Sequence, residues 1–258
     1  MATLAHTASG ASVRAERFWT ISAGIMMAVL VLGFSVQLAM GRSTFAVPLF
    51  VHIHALVFFG WAALYLLQNL LVGMGNTALH KRLGWLSVVW IPTMVVMGLI
   101  VTVAIVRRGQ TPFFFQPLYF LIMDPMTLFT FAGLAIAAIR LRRKTQWHRR
   151  LMFCGMSILL GPGIGRLIPL PLMIPYAGWA VFAFVILFPI AGIVRDLRRD
   201  GRVHPAWLWG LGSIVVMQIA IDLMAFSAPG QWLYTAVTQG SPGAAVAPLA
   251  FPPFPPVS

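Results

Sequence analysis

Residues 83–106 have the sequence LGWLSVVWIPTMVVMGLIVTVAIV, which is 24 consecutive residues without a charged side chain. An α-helix needs about 20 apolar residues to cross the roughly 30 Å of hydrocarbon in a bilayer. Basic pairs flank the stretch, with Lys81 and Arg82 before it and Arg107 and Arg108 after it. The stretch therefore predicts a membrane-spanning helix.

Six more apolar runs of similar length occur in the chain, and the composition agrees with them. Of the 258 residues, 60% are hydrophobic and 9% are charged, whereas a soluble domain carries roughly a quarter charged residues. We therefore predict an all-α integral membrane protein built as a seven-helix bundle. The predicted spans are residues 19–40, 48–74, 83–106, 114–139, 151–172, 174–194 and 206–226.

The basic residues predict the orientation of the bundle. With the N-terminus inside, 14 of the 18 lysines and arginines fall in inside segments, and such a bias marks the cytoplasmic side of a membrane protein. We expect the N-terminus inside, the C-terminus outside, and a location in the bacterial inner membrane. The formal charge of +13 then reflects orientation in the bilayer, and no nucleic-acid partner is expected.

Three segments follow from this topology. Residues 1–18 are expected to be a cytoplasmic leader, residues 19–226 the seven-span domain with residues 48–172 as its core, and residues 227–258 an outer tail. The tail is rich in Pro, Gly and Ala, which predicts an extended or disordered segment. The lipid bilayer is the expected partner, while membrane subunits and a second copy of the chain remain open alternatives.

Two similar boxes of sequence each stand at the start of an apolar run. The first is HKRLG at residues 80–84, and the second is HRRLM at residues 148–152. Each box follows a span that descends toward the inside, and those descending spans carry His54 and Asp124 near their outer ends. We interpret spans two to five as a duplicated helical hairpin, an arrangement that often holds a site at the repeat interface.

The boxes resemble those of a widespread, uncharacterised family of bacterial multi-pass membrane proteins. That family has a His-Arg-x-x-Gly box, then a His-Arg-x-x-Met box, and an arginine near the end of the following helix, where this chain has Arg166. The resemblance covers residues from about His52 to Arg166 and implies a membrane protein without implying an activity. The layout is more distantly similar to transmembrane cytochrome b proteins, which hold haem between two histidines. Those proteins place histidines on four successive helices, whereas the fourth span here offers Asp124 instead, so at most one bis-histidine haem is implied.

The inner ends of the predicted helices offer a candidate haem site. His80 and His148 begin parallel helices at similar depth, so their imidazoles are expected to face one another. Two neutral imidazoles can be the axial ligands of haem iron, and neighbouring cations can pair with its propionates. Those cations are Lys81, Arg82, Arg149 and Arg150. The alternative is that both boxes are interfacial anchors that meet anionic lipid.

The outer halves of the predicted spans contain ionisable groups, which are expensive in a membrane and often mark function. Three interpretations remain open. His52, His54 and Asp124 could bind a transition metal, since His and carboxylate are usual ligands. His54, Asp124 and Arg166 could line a proton or substrate path, or Asp124 and Arg166 could be a structural ion pair. The groups are His52, His54, Asp124, Arg166 and Asp222.

Helical periodicity predicts which faces of two spans turn inward. A polar and aromatic stripe in the second span recurs at steps of seven, four and three, so its members share one face that should point into the bundle. The stripe is His54, Trp61, Tyr65 and Gln68. In the fifth span, GPGIG at residues 161–165 predicts a break or kink, which indicates either a cavity or close helix packing.

These observations leave three classes of function open, and they do not establish whether the protein is an enzyme. The first is a haem- or metal-binding module that transfers electrons or protons. The second is a proton-coupled transporter or channel that uses His54, Asp124 and Arg166. The third is a non-catalytic assembly or lipid-interacting subunit of the membrane.

Overall fold

A computed structural model describes the backbone of residues 2–254 and the side chains of residues 17–254. Within that part of the chain the fold consists of ten α-helices and two short 3₁₀ turns, and no strand occurs. The helices are α1 (Ala2–Ala39), α2 (Leu49–Gly73), α3 (Thr77–Gly84), α4 (Ser87–Arg107), α5 (Pro117–Arg140), α6 (Thr145–Ile158), α7 (Gly161–Leu167), α8 (Ala177–Asp200), α9 (Pro205–Ala225) and α10 (Ala228–Thr238).

Six of the helices are long and apolar enough to cross a membrane. They comprise α2, α4, α5, α8, α9 and the Arg17–Ala39 part of α1. A helix pairs all of its internal backbone groups, which is why apolar segments of this length adopt it in lipid. The prediction of an all-helical, multi-pass membrane protein is therefore confirmed. Since α1 begins at Ala2, the backbone of the predicted leader is helical from that residue onward.

The predicted fifth span is not one helix. Residues 151–172 are divided between α6, α7 and a 3₁₀ turn at Leu170–Met173. The break predicted at GPGIG within this span is therefore confirmed. The cause is local: Pro162 lies in the first turn of α7, and its missing N–H and fixed φ favour a helix start over a helix interior.

The two sequence boxes also differ in local structure. Residues 80–84 belong to the separate short helix α3, which contains no buried residue, whereas residues 148–152 lie in the first half of α6. The side chain of Asn76 caps α3 by accepting a hydrogen bond from the Leu79 N–H at 3.2 Å. The boxes therefore do not occupy equivalent positions in two matching hairpins.

The helix ends meet at two opposite ends of the bundle. At one end, Trp19 of α1 stacks on Trp207 of α9 with ring centres 5.9 Å apart and touches Phe153 of α6. We call this the basic end, because Arg149, Arg150 and Arg195, from the arginine-rich segments 140–150 and 195–202, lie against the Trp19 ring there. At the opposite end, the Gln37 side chain of α1 donates to the Arg166 carbonyl of α7 at 2.8 Å.

The contact between α1 and α7 depends on two glycines. A Cβ on Gly33 would collide with the Gly163 carbonyl oxygen, and a Cβ on Gly163 would lie 3.0 Å from the Val29 carbonyl oxygen. Small residues allow helices to approach this closely. Of the two interpretations of GPGIG, the structure shows close packing at this position.

A buried ion pair joins three helices at the basic end. Arg150 of α6 donates from Nη2 to Oδ2 of Asp196 in α8 at 2.7 Å, and the two side chains are 3% and 1% exposed. The indole N–H of Trp207 donates to the same oxygen at 2.9 Å. Since burying a charge is tolerated only when it is paired and hydrogen-bonded, these contacts account for an arginine inside the bundle.

The C-terminal segment folds as a cap over the end opposite the basic end. We call residues 228–254 the cap. Its backbone accepts hydrogen bonds from the Leu118 N–H at 2.9 Å, from the Gln116 side chain at 2.6 Å and from the Arg107 guanidinium at 2.6 Å. The expectation of an extended or disordered tail is therefore wrong for residues 228–245, which contain α10 and a 3₁₀ turn at Pro242–Ala245, while residues 246–254 contain no regular helix. The last four residues lie outside the described part of the chain. Donors at the ends of α4 and α5 satisfy its carbonyl groups, which composition alone does not reveal.

Candidate functional site

His80 and His148 face one another at the basic end. Their ring centres are 6.2 Å apart, and the ring planes are inclined by 80°. His80 lies in α3, and His148 lies in the first turn of α6. The prediction that the two imidazoles meet is confirmed, although the first of them reaches the pair from a short helix at the edge of the bundle.

The orientation of His148 is fixed by α5. Its Nδ1 lies 2.8 Å from the Ala138 carbonyl oxygen, which can only accept a hydrogen bond, so Nδ1 carries the proton. In the neutral imidazole the other ring nitrogen, Nε2, then keeps its lone pair. A hydrogen bond from the second ring nitrogen to a backbone carbonyl is the usual arrangement of a metal-binding histidine.

His80 has a nitrogen without a partner. Its Nδ1 is buried and makes no hydrogen bond in the structure, and such orphaned polar atoms are rare in folded proteins. Burial, followed by the neighbouring His148, lowers the pKa of the His80 imidazole. The neutral form, which is the form that binds metal, is therefore favoured at this position.

The cations of the two boxes point in different directions. Lys81 and Arg82 are exposed on α3. Arg149 lies over the Trp19 ring at 4.8 Å and donates to the Gln146 side chain at 2.6 Å, while Arg150 is paired with Asp196. Successive helix residues point about 100° apart, so the arginines after His148 turn toward α1 and α8. The expected role of Arg149 and Arg150 beside the histidine pair is not supported by these contacts.

Asp124 has a hydrogen-bonded position between α4 and α5. The Thr102 hydroxyl of α4 donates to Oδ2 of Asp124 at 3.2 Å, and Arg166 is close enough to attract the carboxylate electrostatically. The Arg166 guanidinium itself lies over the Phe34 ring at 3.9 Å and donates to the Pro162 carbonyl at 2.9 Å. The predicted association of Asp124 with Arg166 is therefore electrostatic, without a direct ion pair among the contacts of the described side chains.

The two histidines of the second span have different surroundings. His52 lies 3.1 Å from the Phe45 carbonyl oxygen, in the loop before α2. His54 stacks on Phe58 at 4.3 Å, its Nδ1 is buried without a hydrogen bond, and its ring lies near the Met97 backbone of α4. Among the described residues, no three His, Cys, Asp or Glu side chains converge as a metal site. His52, His54 and Asp124 are thus not brought together as the predicted ligand set.

The prediction that the stripe of α2 faces into the bundle is confirmed for its two aromatic residues. Trp61 is 3% exposed and Tyr65 is 7% exposed. The Gln68 side-chain oxygen is buried without a hydrogen bond, and the Gln68 backbone lies beside His80. The Gln68 end of the stripe therefore reaches the pair of His80 and His148. In this way α2 connects the predicted outer site around His54 with the predicted haem site.

A second polar chain near the cap was not anticipated from the sequence. The buried Gln218 side chain of α9 donates to the Tyr119 hydroxyl of α5 at 2.9 Å. Asp222, one turn further along α9, accepts from the Trp179 indole of α8 at 2.8 Å. The predicted site residue Asp222 thus belongs to a contact between α8 and α9, and the spacing of four between Gln218 and Asp222 was the available signal.

The burial of Asp196 also had a sequence signal. The buried positions of α8 include Val185, Pro189, Gly192 and Asp196, and their steps of four, three and four define one helix face.

Comparison of the chain with protein-family models, curated proteins and solved structures finds no match.

Proposed function

We propose that the chain is a multi-pass protein of the bacterial inner membrane with seven crossings. In this proposal α6 and α7 together form the fifth crossing, because α6 contacts Trp19 through Arg149 and Phe153, whereas Arg166 near the end of α7 contacts Gln37. Trp19 and Gln37 lie near the two ends of the apolar Arg17–Ala39 part of α1. The basic end faces the cytoplasm, since lysines and arginines accumulate on that side of membrane proteins. This topology places the histidine pair at the cytoplasmic side.

We further propose that His80 and His148 together bind a metal centre that transfers electrons. The observation that carries this proposal is the 6.2 Å separation of the ring centres. A metal ion that binds one nitrogen of each ring at about 2.0–2.1 Å separates such centres by roughly 5 to 6.5 Å. The Ala138 hydrogen bond and the unpartnered Nδ1 of His80 support the same role.

Haem b is the centre that fits this donor set best. The described residues provide two imidazoles and no third His, Cys, Asp or Glu at the site, whereas a bare transition metal usually takes three or more protein ligands. Haem would need only two nitrogen donors from the protein, and His80 and His148 would provide them. When bound, haem would supply one-electron chemistry, while the Ala138 carbonyl holds His148 in orientation.

The test is an absorption spectrum of the purified protein with elemental analysis. We expect reduced-minus-oxidised haem bands that disappear in His80→Ala and in His148→Ala. His52→Ala is the matched control, because it removes a histidine from the other end of the bundle and should leave the bands unchanged. If the unmodified protein contains metal but shows no haem bands, and both variants lose that metal, the site binds a bare metal ion and not haem. A colourless, metal-free protein that stays so after incubation with hemin would overturn the proposal.

Asp124 supports a second candidate function, proton-coupled transport. The carboxylate has the Thr102 hydroxyl as its hydrogen-bond donor and an arginine nearby, which is the kind of intramembrane ionisable site that often lies on a proton path. In proteoliposomes, the proton flux driven by a pH gradient should be lost in Asp124→Asn and reduced in Thr102→Val. Intact flux in Asp124→Asn would contradict this function, and a colourless protein without flux would favour a non-catalytic membrane subunit.

A further inference from the structure

An apolar groove runs along the surface between α1 and α8. Its walls include Ser22 and Val29 of α1 and Phe184 and Leu187 of α8, and its floor includes Phe153 of α6 and Ile164 of α7. The groove has a volume of about 450 Å³. At the α7 side of the groove, α7 packs closely against α1 through Gly33 and Gly163.

The groove continues into a basic recess. Ala191 lines both, and beyond it the recess is formed by Val194 and three arginines of α8 and has a volume of about 370 Å³. The arginines are Arg195, Arg198 and Arg199. Phe184, Leu187, Ala191, Arg195 and Arg198 follow at steps of three and four, so one face of α8 changes from apolar to basic along its length.

The recess lies at the basic end of the bundle, beside α1 and the last turns of α8. Arg195 reaches across to α1, where its guanidinium lies 4.9 Å from the Phe18 ring centre. Arg198 and Arg199 are exposed at the end of α8. The ion pair of Arg199 with Asp200 is 3.6 Å long, and both side chains are 44% exposed, so it offsets little of the positive charge.

We propose that the groove and the recess together bind one anionic phospholipid of the cytoplasmic leaflet. An acyl chain lies in the groove, and the phosphate is held by Arg198 and Arg199. Arg195 lies beside them and is already paired with Asp196 at 3.3 Å. From Phe184 to Ala191, and again from Ala191 to Arg198, α8 rises by about 10 Å, so apolar and basic parts follow one another over the length of a lipid. Basic pockets between helices on the cytoplasmic side are known to select anionic headgroups. The site is separate from the histidine pair and does not depend on a metal centre there.

The test is native mass spectrometry of delipidated protein titrated with phosphatidylglycerol or with phosphatidylcholine of the same chains. We expect the phosphatidylglycerol affinity of Arg198→Gln/Arg199→Gln to fall about 20- to 30-fold, since each arginine near a charged lipid surface contributes roughly fivefold. The matched control Arg140→Gln/Arg143→Gln removes two exposed arginines at the same end of the bundle and should change the affinity less than twofold. Ala191→Trp fills the junction at an exposed position, and it should weaken both lipids.

Three outcomes would overturn the proposal. The first is equal affinity of the unmodified protein for the two lipids, and the second is an equal loss in the control double variant. The third is full binding by Ala191→Trp, which would remove the acyl-chain part of the site. Retained size-exclusion and tryptophan-fluorescence profiles would show that the variants are folded.

Discussion

The buried pair of Arg150 and Asp196 allows a quantitative test of the packing at the basic end. Three N–H groups converge on Oδ2 of Asp196: Nε and Nη2 of Arg150 at 2.9 and 2.7 Å, and Nε1 of Trp207 at 2.9 Å. Asp196→Ala removes this acceptor and leaves a buried guanidinium charge without a counter-ion, with Gln146 as its remaining hydrogen-bond partner. Breaking a buried pair by removing one partner costs about 3–5 kcal/mol. We expect a loss of about 4 kcal/mol in the free energy of unfolding, because Trp207 loses its partner as well.

The assay is SDS-driven unfolding in mixed micelles, followed by tryptophan fluorescence. Trp19 and Trp207 stack beside the buried ion pair, so two of the nine tryptophans lie in the perturbed region. The double variant Arg150→Met/Asp196→Leu should lose less stability than Asp196→Ala, because it leaves no charge buried. Asp200→Ala is the control, since its pair with Arg199 is 44% exposed and such pairs contribute at most about 1 kcal/mol.

Two results would refute this reasoning. A cost below about 1 kcal/mol for Asp196→Ala would mean that Arg150 reaches water or another partner when the carboxylate is lost. The second result concerns the loss of unfolding free energy in Arg150→Met/Asp196→Leu. If it equals the sum of the losses in Arg150→Met and in Asp196→Leu, the two side chains do not interact energetically.

Three further predictions concern helix contacts, the cap and pH. Gly33→Ala should destabilise the protein by about 1–3 kcal/mol in the same unfolding assay, because its Cβ would collide with the Gly163 carbonyl. Gly24→Ala is the control and should not destabilise the protein, because a Cβ at that position has no atom within 4 Å. Gly243→Ala places a Cβ against a carbonyl of α4, so limited proteolysis should cut the cap faster, and unchanged cleavage would contradict the packing. Burial lowers the pKa of His204, whose Nδ1 accepts the first-turn N–H of α9 at 3.1 Å, so the neutral form stabilises the fold. That contribution is complete above the ordinary value of 6.5 and is lost as the pH falls below it. The unfolding free energy should therefore fall more between pH 7.5 and pH 5.5 in the unmodified protein than in His204→Asn, and equal slopes would contradict the assignment.

Much of the histidine site could be predicted from the sequence. Two boxes at the starts of neighbouring apolar runs predicted that His80 and His148 meet, since helices that begin on one side of a bilayer place their first turns at one depth. The hydrogen bond that orients His148 could not be predicted, because its acceptor is the Ala138 carbonyl of another helix. The surroundings of Arg149 and Arg150 likewise depend on where α1 and α8 pack.

The sequence by itself determined that the chain is helical and that six of its helices are long and apolar enough to cross a membrane, because a long uncharged stretch in lipid has to satisfy its own backbone hydrogen bonds. It also determined the break at Pro162, which is a property of one residue. Only the tertiary structure decided that Arg150 is buried while Arg82 is exposed, and that residues 228–254 fold as a cap. Those outcomes require donors, acceptors and aromatic surfaces from helices distant in the chain, so they arise only once the helices have packed.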